Sequence, residues 1–87
     1  QVIVETDAGS GIGFSDQNYQ TAGANIVNSA KSVFDQAEMI IKVKEPQPNE
    51  CKLLNKNQIL FTYLHLAADP KQTGLLLESG ATCIAYE

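Results

Sequence analysis

The sequence has 87 residues, which suffices for one small domain and excludes a multidomain enzyme within these residues. Apolar residues make up 44% of it, charged residues 18% and aromatic residues 7%, a composition typical of a globular α/β domain and not of a disordered segment. Ten acidic residues against six lysines, with no arginine, give a formal net charge of −4. This balance argues against a nucleic-acid partner or an anionic membrane surface, because both need clustered cations.

Strand and helix patterns alternate along the chain. Runs of β-branched and other apolar residues predict strands at residues 1–5, 25–27, 39–43, 58–64 and 82–86. Apolar residues at helical spacing after a capping residue predict helices from Ser15 to about Ala22, from Asn28 or Ser29 through Ala37, from Asn49 through Leu54, and from Asp69 to Gly80. Apolar strands joined by helices imply a parallel sheet with helices on both faces.

The first predicted strand is followed by a glycine-rich loop. Gly9 and Gly11 begin a dinucleotide-binding pattern, G-x-G-x-x-G/A, but Phe14 stands where the third glycine belongs. No helix opens at the glycines, and the acidic residue expected about 20 residues later is missing. We therefore expect a glycine-rich turn, with no cofactor bound.

Neither cysteine has partners that would make it reactive. Cys51 and Cys83 are enough for one disulfide, but neither lies in a disulfide-dense pattern, and Cys83 belongs to an apolar run typical of a buried free thiol. No histidine or second cysteine stands at catalytic or metal spacing from Cys51. The sequence predicts reduced cysteines, no metal site and a cytoplasmic location, and no apolar stretch approaches the about 18 residues of a membrane span.

Two predicted strands end in side chains that suit an anionic substrate. Lys42 and Lys44 close the strand at 39–43, and Tyr63 and His65 close the strand at 58–64. Alternation points each pair to one side, and ligands of parallel sheets bind beyond the carboxyl ends of strands. If the two strands are neighbours, Lys44 and His65 enter one crevice, where the ammonium group favours the neutral imidazole that accepts a proton. The alternative interpretation is a solvated lysine and a structural histidine.

Three stretches of the sequence resemble alanine dehydrogenases. They are VETDAGSGIGFSD at residues 4–16, IKVKEP at 41–46 and LFTYLHLA at 60–67, and the resemblance runs through essentially all 87 positions. It is shared more loosely with proton-translocating nicotinamide nucleotide transhydrogenases. The resemblance implies an NAD-dependent enzyme that converts L-alanine and water to pyruvate and ammonia, with a catalytic domain, a separate Rossmann domain and a hexameric assembly.

The resemblance also implies roles for individual residues. The lysine that matches Lys44 contacts the oxygen atoms of the substrate. The histidine that matches His65 binds substrate and takes part in acid/base catalysis, and Tyr63 borders the same pocket. We therefore expect His65 to be catalytic, and Lys44, His65 and Tyr63 to bind substrate.

Parts of the family pattern have no counterpart in these residues. The opening strand and helix with their substrate-binding arginine, the NAD-binding domain and its catalytic aspartate are all missing. We expect residues 1–87 to be an incomplete N-terminal catalytic (substrate-binding) domain, a partial Rossmann-like or flavodoxin-like fold that is inactive alone and self-associates. The alternatives are the equivalent transhydrogenase domain and a non-catalytic folded module.

Overall fold

The computed structural model describes residues 1–64 and 69–85, which divide into two compact units, Gln1–Gln36 and Ala37–Glu87. The first unit contains a parallel pair of strands, a short 3-10 turn and two helices. Their bounds are β1 (Ile3–Glu5), the turn (Ser10–Ile12), α1 (Asp16–Thr21), β2 (Asn25–Val27) and α2 (Ala30–Gln36). β1 pairs with β2, with Val4 opposite Ile26. Every element of this unit lies where the sequence predicts one.

The caps of the first unit explain its helix boundaries. The Ser15 hydroxyl accepts a hydrogen bond from the backbone N–H of Asn18 (3.3 Å), and the Asn18 side chain accepts one from the Ser15 N–H (2.8 Å). Gly23 follows α1 with φ 105°, a left-handed conformation that glycine adopts without strain. Ser29 rather than Asn28 caps α2, because its hydroxyl accepts a hydrogen bond from the Ser32 N–H (3.2 Å).

The second unit is a three-stranded parallel sheet with two helices. The strands lie in the order β3-β4-β5, and the element bounds are β3 (Met39–Ile41), α3 (Pro48–Cys51), β4 (Ile59–Thr62), α4 (Pro70–Ser79) and β5 (Thr82–Ala85). Asp69 caps α4 by accepting a hydrogen bond from the Gln72 N–H (3.0 Å), and Gly80 ends the helix at φ 73°, both as predicted. The parallel α/β architecture is confirmed, with its described strands paired in two separate ladders.

The predicted start of α3 is wrong. Gln47, not Asn49, is the capping residue, and Pro48 occupies the first helical position, where its fixed φ suits a helix and its missing N–H costs nothing. Glu50 completes the cap by accepting a hydrogen bond from the Gln47 N–H (2.8 Å). The helix then ends at Cys51, before the leucines that the sequence assigns to it.

The core of the second unit forms around β4. Leu60 is 0% exposed and its two cross-strand partners are Ile40 and Cys83. The buried apolar side chains of this unit are Ile40, Cys51, Leu54, Leu60 and Leu76. This arrangement leaves the carboxyl ends of β3 and β4 side by side. None of the described helices has the length and apolar character needed to cross a membrane.

We expect the 87-residue chain to self-associate at high concentration. Among the described strands, β3 lies at one end of the three-stranded sheet, and Met39, Ile41 and Val43, in or just after β3, are 50%, 66% and 71% exposed. An apolar edge strand offers unpaired backbone groups to a second chain. The mass measured by light scattering should therefore rise with concentration, and Ile41→Lys should suppress the rise because a charged edge resists pairing. Leu77→Lys is the control, since Leu77 is exposed on α4. A mass that stays that of a monomer at high concentration, measured on the unsubstituted 87-residue chain, would contradict the prediction.

Candidate functional site

Lys44 and Tyr63 follow neighbouring strands at the same edge of a parallel sheet. β3 and β4 pair in parallel, with Ile41 opposite Phe61. The pairing continues past the strand ends, because Lys42 N–H donates to the Phe61 carbonyl (3.1 Å) and Tyr63 N–H donates to the Val43 carbonyl (3.2 Å). The expectation that the two strands are neighbours is therefore confirmed. This edge is where ligand sites of parallel sheets occur.

Lys42 and Lys44 differ in their surroundings. The Lys42 ammonium lies 2.7 Å from Glu50 Oε1, in an ion pair whose side chains are only 23% and 15% exposed. The Lys44 side chain is exposed, and within residues 1–64 and 69–85 no acidic group lies within ion-pair distance of its ammonium. β3 ends at Ile41 and the chain bends at Val43 and Lys44, so strand alternation does not extend from Lys42 to Lys44. Lys42 is therefore held in an ion pair, while Lys44 has no ion-pair partner among the described residues.

The backbone of Lys44 is held by a residue that the sequence analysis did not single out. Thr62, at the end of β4, is 0% exposed, and its hydroxyl donates a hydrogen bond to the Lys44 carbonyl (2.8 Å). Threonine is common in strands, so the presence of a threonine at position 62 did not indicate that it bonds to Lys44. The usable signal was its position, two residues after buried Leu60 on the same side of the strand.

The other predicted site residues fall in two groups. Tyr63 is 42% exposed, so its side chain reaches solvent at the edge where Lys44 lies. His65 lies outside the described residues, and its place beside Lys44 stays a prediction. The described residues contain no cluster of three or more His, Cys, Asp or Glu side chains suited to a metal ion.

The glycine-rich loop does not fit a dinucleotide. A Cβ atom at Gly9 would lie 2.5 Å from the Tyr19 hydroxyl, so this glycine makes room for Tyr19 and not for a phosphate. The Asp16 carboxylate accepts hydrogen bonds from the Thr6 hydroxyl (2.6 Å) and the Asp7 N–H (2.8 Å), which lower the pKa of Asp16. An ionised carboxylate at the start of α1 repels the pyrophosphate that a dinucleotide site must attract.

Both cysteines are free thiols in surroundings that keep them protonated. Burial raises the pKa of Cys51, and the neighbouring Glu50 carboxylate raises it further. Burial also raises the pKa of Cys83. A raised pKa leaves little thiolate near neutral pH, so neither side chain is an activated nucleophile. The expectation of reduced, structural cysteines agrees with these surroundings.

A cavity of about 260 Å³ lies between α4 and β5 and is also lined by Leu64, which directly follows Tyr63. Among the described residues, its lining is mainly apolar and includes Leu76, Leu77 and Cys83, whose thiol is the one ionisable group there. A small polar substrate needs convergent polar groups to be oriented. The described lining of the cavity supplies no such set of groups.

Comparisons with known proteins place this arrangement in one family. Residues 1–87 match the family described as alanine dehydrogenase/PNT, N-terminal domain. The alanine dehydrogenase of Halomonas elongata is 55% identical over 86 residues, covering 99% of this chain and 23% of that protein. The Bacillus subtilis alanine dehydrogenase is 52% identical over 87 residues, covering 100% and 23%.

Solved structures agree with the sequence matches. An L-alanine dehydrogenase superimposes with a TM-score of 0.93 at 54% identity, covering 100% of this chain and 24% of that one. A transhydrogenase from Sinorhizobium meliloti superimposes with a TM-score of 0.88 at 25% identity, covering 98% and 25%. The chain thus spans about a quarter of the length of these relatives. Since the match extends over all 87 residues, this chain belongs to the alanine dehydrogenase/PNT N-terminal domain family.

Proposed function

We propose that residues 1–87 supply part of the substrate site of an NAD-dependent alanine dehydrogenase, which converts L-alanine and water to pyruvate and ammonia. The observation that carries this proposal is the placement of two exposed residues, Lys44 and Tyr63, at the joint carboxyl edge of β3 and β4. Identity of 52–55% to alanine dehydrogenases over this whole region supports the same reaction.

In this proposal Lys44 contacts the oxygen atoms of the substrate. Its ammonium attracts the carboxylate of alanine or pyruvate and stabilises negative charge on a carbonyl oxygen. Tyr63 borders the pocket. His65, two residues further along the chain, binds substrate and transfers a proton, as an imidazole titrating near neutral pH is suited to do. The exposed Lys44 supplies a local positive charge in a chain whose net charge is −4.

The proposal places the binding site of the hydride acceptor outside residues 1–87. NAD would supply the hydride acceptor of the proposed reaction. The glycine-rich loop, the first candidate for binding it, is packed against Tyr19 and bordered by the Asp16 carboxylate. We propose that other parts of the complete enzyme bind NAD and that residues 1–87 alone form an incomplete N-terminal substrate-binding domain. The family resemblance further supports a cytoplasmic homo-oligomer, a hexamer in its complete form.

A segment exchange tests the proposal directly. We expect residues 1–87, placed in the Bacillus subtilis alanine dehydrogenase in place of the matching segment, to sustain L-alanine-dependent NADH formation. The 87-residue chain alone should show no turnover, because hydride transfer needs a nicotinamide held against the substrate. The measurement is absorbance of NADH, with the unmodified enzyme as control. A folded chimera without turnover, or turnover by the isolated chain, would contradict the proposal.

The transhydrogenase likeness provides a second candidate function. The fold agrees closely, with a TM-score of 0.88, but the identity of 25% is well below the 54% found with an alanine dehydrogenase structure. The dehydrogenase is therefore the better-supported proposal. A chimera that folds and fails to oxidise alanine would favour the transhydrogenase.

A further inference from the structure

Thr62 joins the end of β4 to the chain that follows β3. Its side chain is fully buried, and its hydroxyl donates a 2.8 Å hydrogen bond to the carbonyl oxygen of Lys44, 18 positions earlier in the sequence. A buried hydroxyl without a partner costs free energy, so this bond is the favourable arrangement for Thr62 as well as a restraint on Lys44. The bond therefore ties the peptide of Lys44 to the core.

The strand ladder itself does not hold Lys44. Ile59 N–H donates to the Glu38 carbonyl, and the same register would make Tyr63 N–H donate to Lys42. Tyr63 N–H instead donates to Val43, one residue further along the chain, so the β3 side contains an extra residue at its end. Such bulges redirect side chains and end strand pairing. Beyond this bulge the Thr62 hydroxyl restrains the Lys44 peptide through its carbonyl oxygen.

The flanks of the same segment are fixed by one carboxylate. Glu50 Oε1 lies 2.7 Å from the Lys42 ammonium and accepts a hydrogen bond from the Gln47 N–H at 2.8 Å. These contacts restrain residues before and after Lys44. Neither of them touches the Lys44 peptide. The Thr62 bond completes the set by restraining the middle of the segment.

We infer that Thr62 is a positioning residue for Lys44: its hydroxyl sets the direction in which the ammonium leaves the backbone. The inference rests on the proposed function, in which Lys44 contacts the substrate. Thr62 is buried and takes no part in contacting substrate. Without the hydroxyl, the Lys44 carbonyl turns to water and the ammonium samples more directions, so the preorganisation that favours substrate binding and turnover is lost.

The restraint is measurable without activity, on the 87-residue chain labelled with ¹⁵N at a concentration where light scattering gives the mass of a monomer. Backbone order parameters at Lys44 and Glu45 should be near the rigid value of about 0.85 in the parent and fall toward about 0.6 in Thr62→Val, which removes the hydroxyl but keeps the shape. Thr62→Ser keeps the hydroxyl and should stay rigid. If Thr62→Val does not fold, the order parameters of Thr62→Ser are compared with those of Thr62→Ala. Both variants lack the methyl group, so they differ only in the hydroxyl. Unchanged order parameters in the variants without a hydroxyl would overturn the inference.

The catalytic consequence is tested in the Bacillus subtilis chimera. Thr62→Val should lower kcat/KM for L-alanine about tenfold with a raised KM, as expected for losing one hydrogen bond, and Thr62→Ser should restore most of it. A variant that only folded poorly would lose active enzyme and keep its KM. In a Lys44→Ala background, Thr62→Val should have no further effect, because the two act through one group.

The outcomes separate the two claims. A harmful Lys44→Ala together with a harmless Thr62→Val overturns the positioning role and leaves the proposed function standing. A harmless Lys44→Ala overturns the proposed function, and with it any catalytic role for Thr62. A tenfold loss in Thr62→Val that persists undiminished in the Lys44→Ala background overturns the positioning role as well.

Discussion

Lys44→Ala in the Bacillus subtilis chimera is expected to lower kcat/KM for L-alanine about 100-fold or more, because it removes the cation that stabilises charge on the substrate oxygen. Lys44 is exposed and its ammonium has no ion-pair partner among the described residues, so the loss should come without a loss of folded protein. The measurement is steady-state NADH formation, with far-UV circular dichroism to verify the fold. Lys44→Arg, which keeps the charge, should retain part of the activity.

Lys52→Ala is the matched control for charge. Lys52 is also an exposed lysine of the second unit, at the end of α3, and the proposal gives it no contact with substrate. It should leave kcat/KM within a factor of about two, as surface substitutions usually do. Near-normal turnover in Lys44→Ala, or an equal loss in Lys52→Ala, would remove the basis for placing the substrate at this edge.

His65→Ala in the same chimera extends this prediction to the acid/base step. Loss of a general acid or base typically costs about 100-fold or more in turnover. The change should also alter the pH dependence of kcat/KM, because it removes the imidazole that the proposal assigns to proton transfer. A pH profile unchanged by His65→Ala would assign the proton transfer to a group elsewhere in the enzyme.

The largest expected effect on stability is that of Leu60→Ala. Leu60 is 0% exposed in the central strand β4, between partners on both neighbouring strands. Removing a fully buried leucine leaves a cavity and should lower the free energy of unfolding by about 2–5 kcal/mol. That is a large part of the about 5–15 kcal/mol that stabilises a typical domain. Urea denaturation followed by circular dichroism measures the change.

Leu77→Ala provides the same substitution at an exposed position. Leu77 is 76% exposed on α4, so its truncation should change the free energy of unfolding by no more than about 0.5 kcal/mol. The contrast tests whether the second unit is organised around β4. Equal effects of Leu60→Ala and Leu77→Ala would show that the core lies elsewhere.

Local signals predicted the elements of this chain well where each signal acts within a few residues. Ser15 and Asp69 cap the helices that the sequence assigns to them, and Gly80 ends α4 in the left-handed conformation. Caps and turns depend on hydrogen bonds between neighbours in sequence. The predicted start of α3 at Asn49 is wrong. Both Gln47 and Asn49 are polar residues next to Pro48, and Gln47 is the capping residue because its N–H donates a hydrogen bond to Glu50.

Long-range contacts decided the rest of the site. Strand alternation predicts that Lys42 and Lys44 face the same side of the sheet. Within residues 1–64 and 69–85, Lys42 forms an ion pair with Glu50 and Lys44 forms none. The bulge at Val43 and the bond from Thr62 to Lys44 depend on how β3 and β4 register against each other. No spacing within either strand reports that register, because strand periodicity is the same whichever partner the strand pairs with.

The order of residues by itself determined the alternation of strands and helices, the parallel pairing, the family and the candidate side chains Lys44, Tyr63 and His65. Hydrophobic periodicity, helix caps and motifs each involve a short stretch of the chain, so they can be recognised in the sequence without the fold. Only the tertiary structure decided that Lys42 forms an ion pair with Glu50 and that the Thr62 hydroxyl donates a hydrogen bond to the Lys44 carbonyl. Those outcomes depend on contacts between residues far apart in the chain, and such contacts exist only once β3 and β4 have paired.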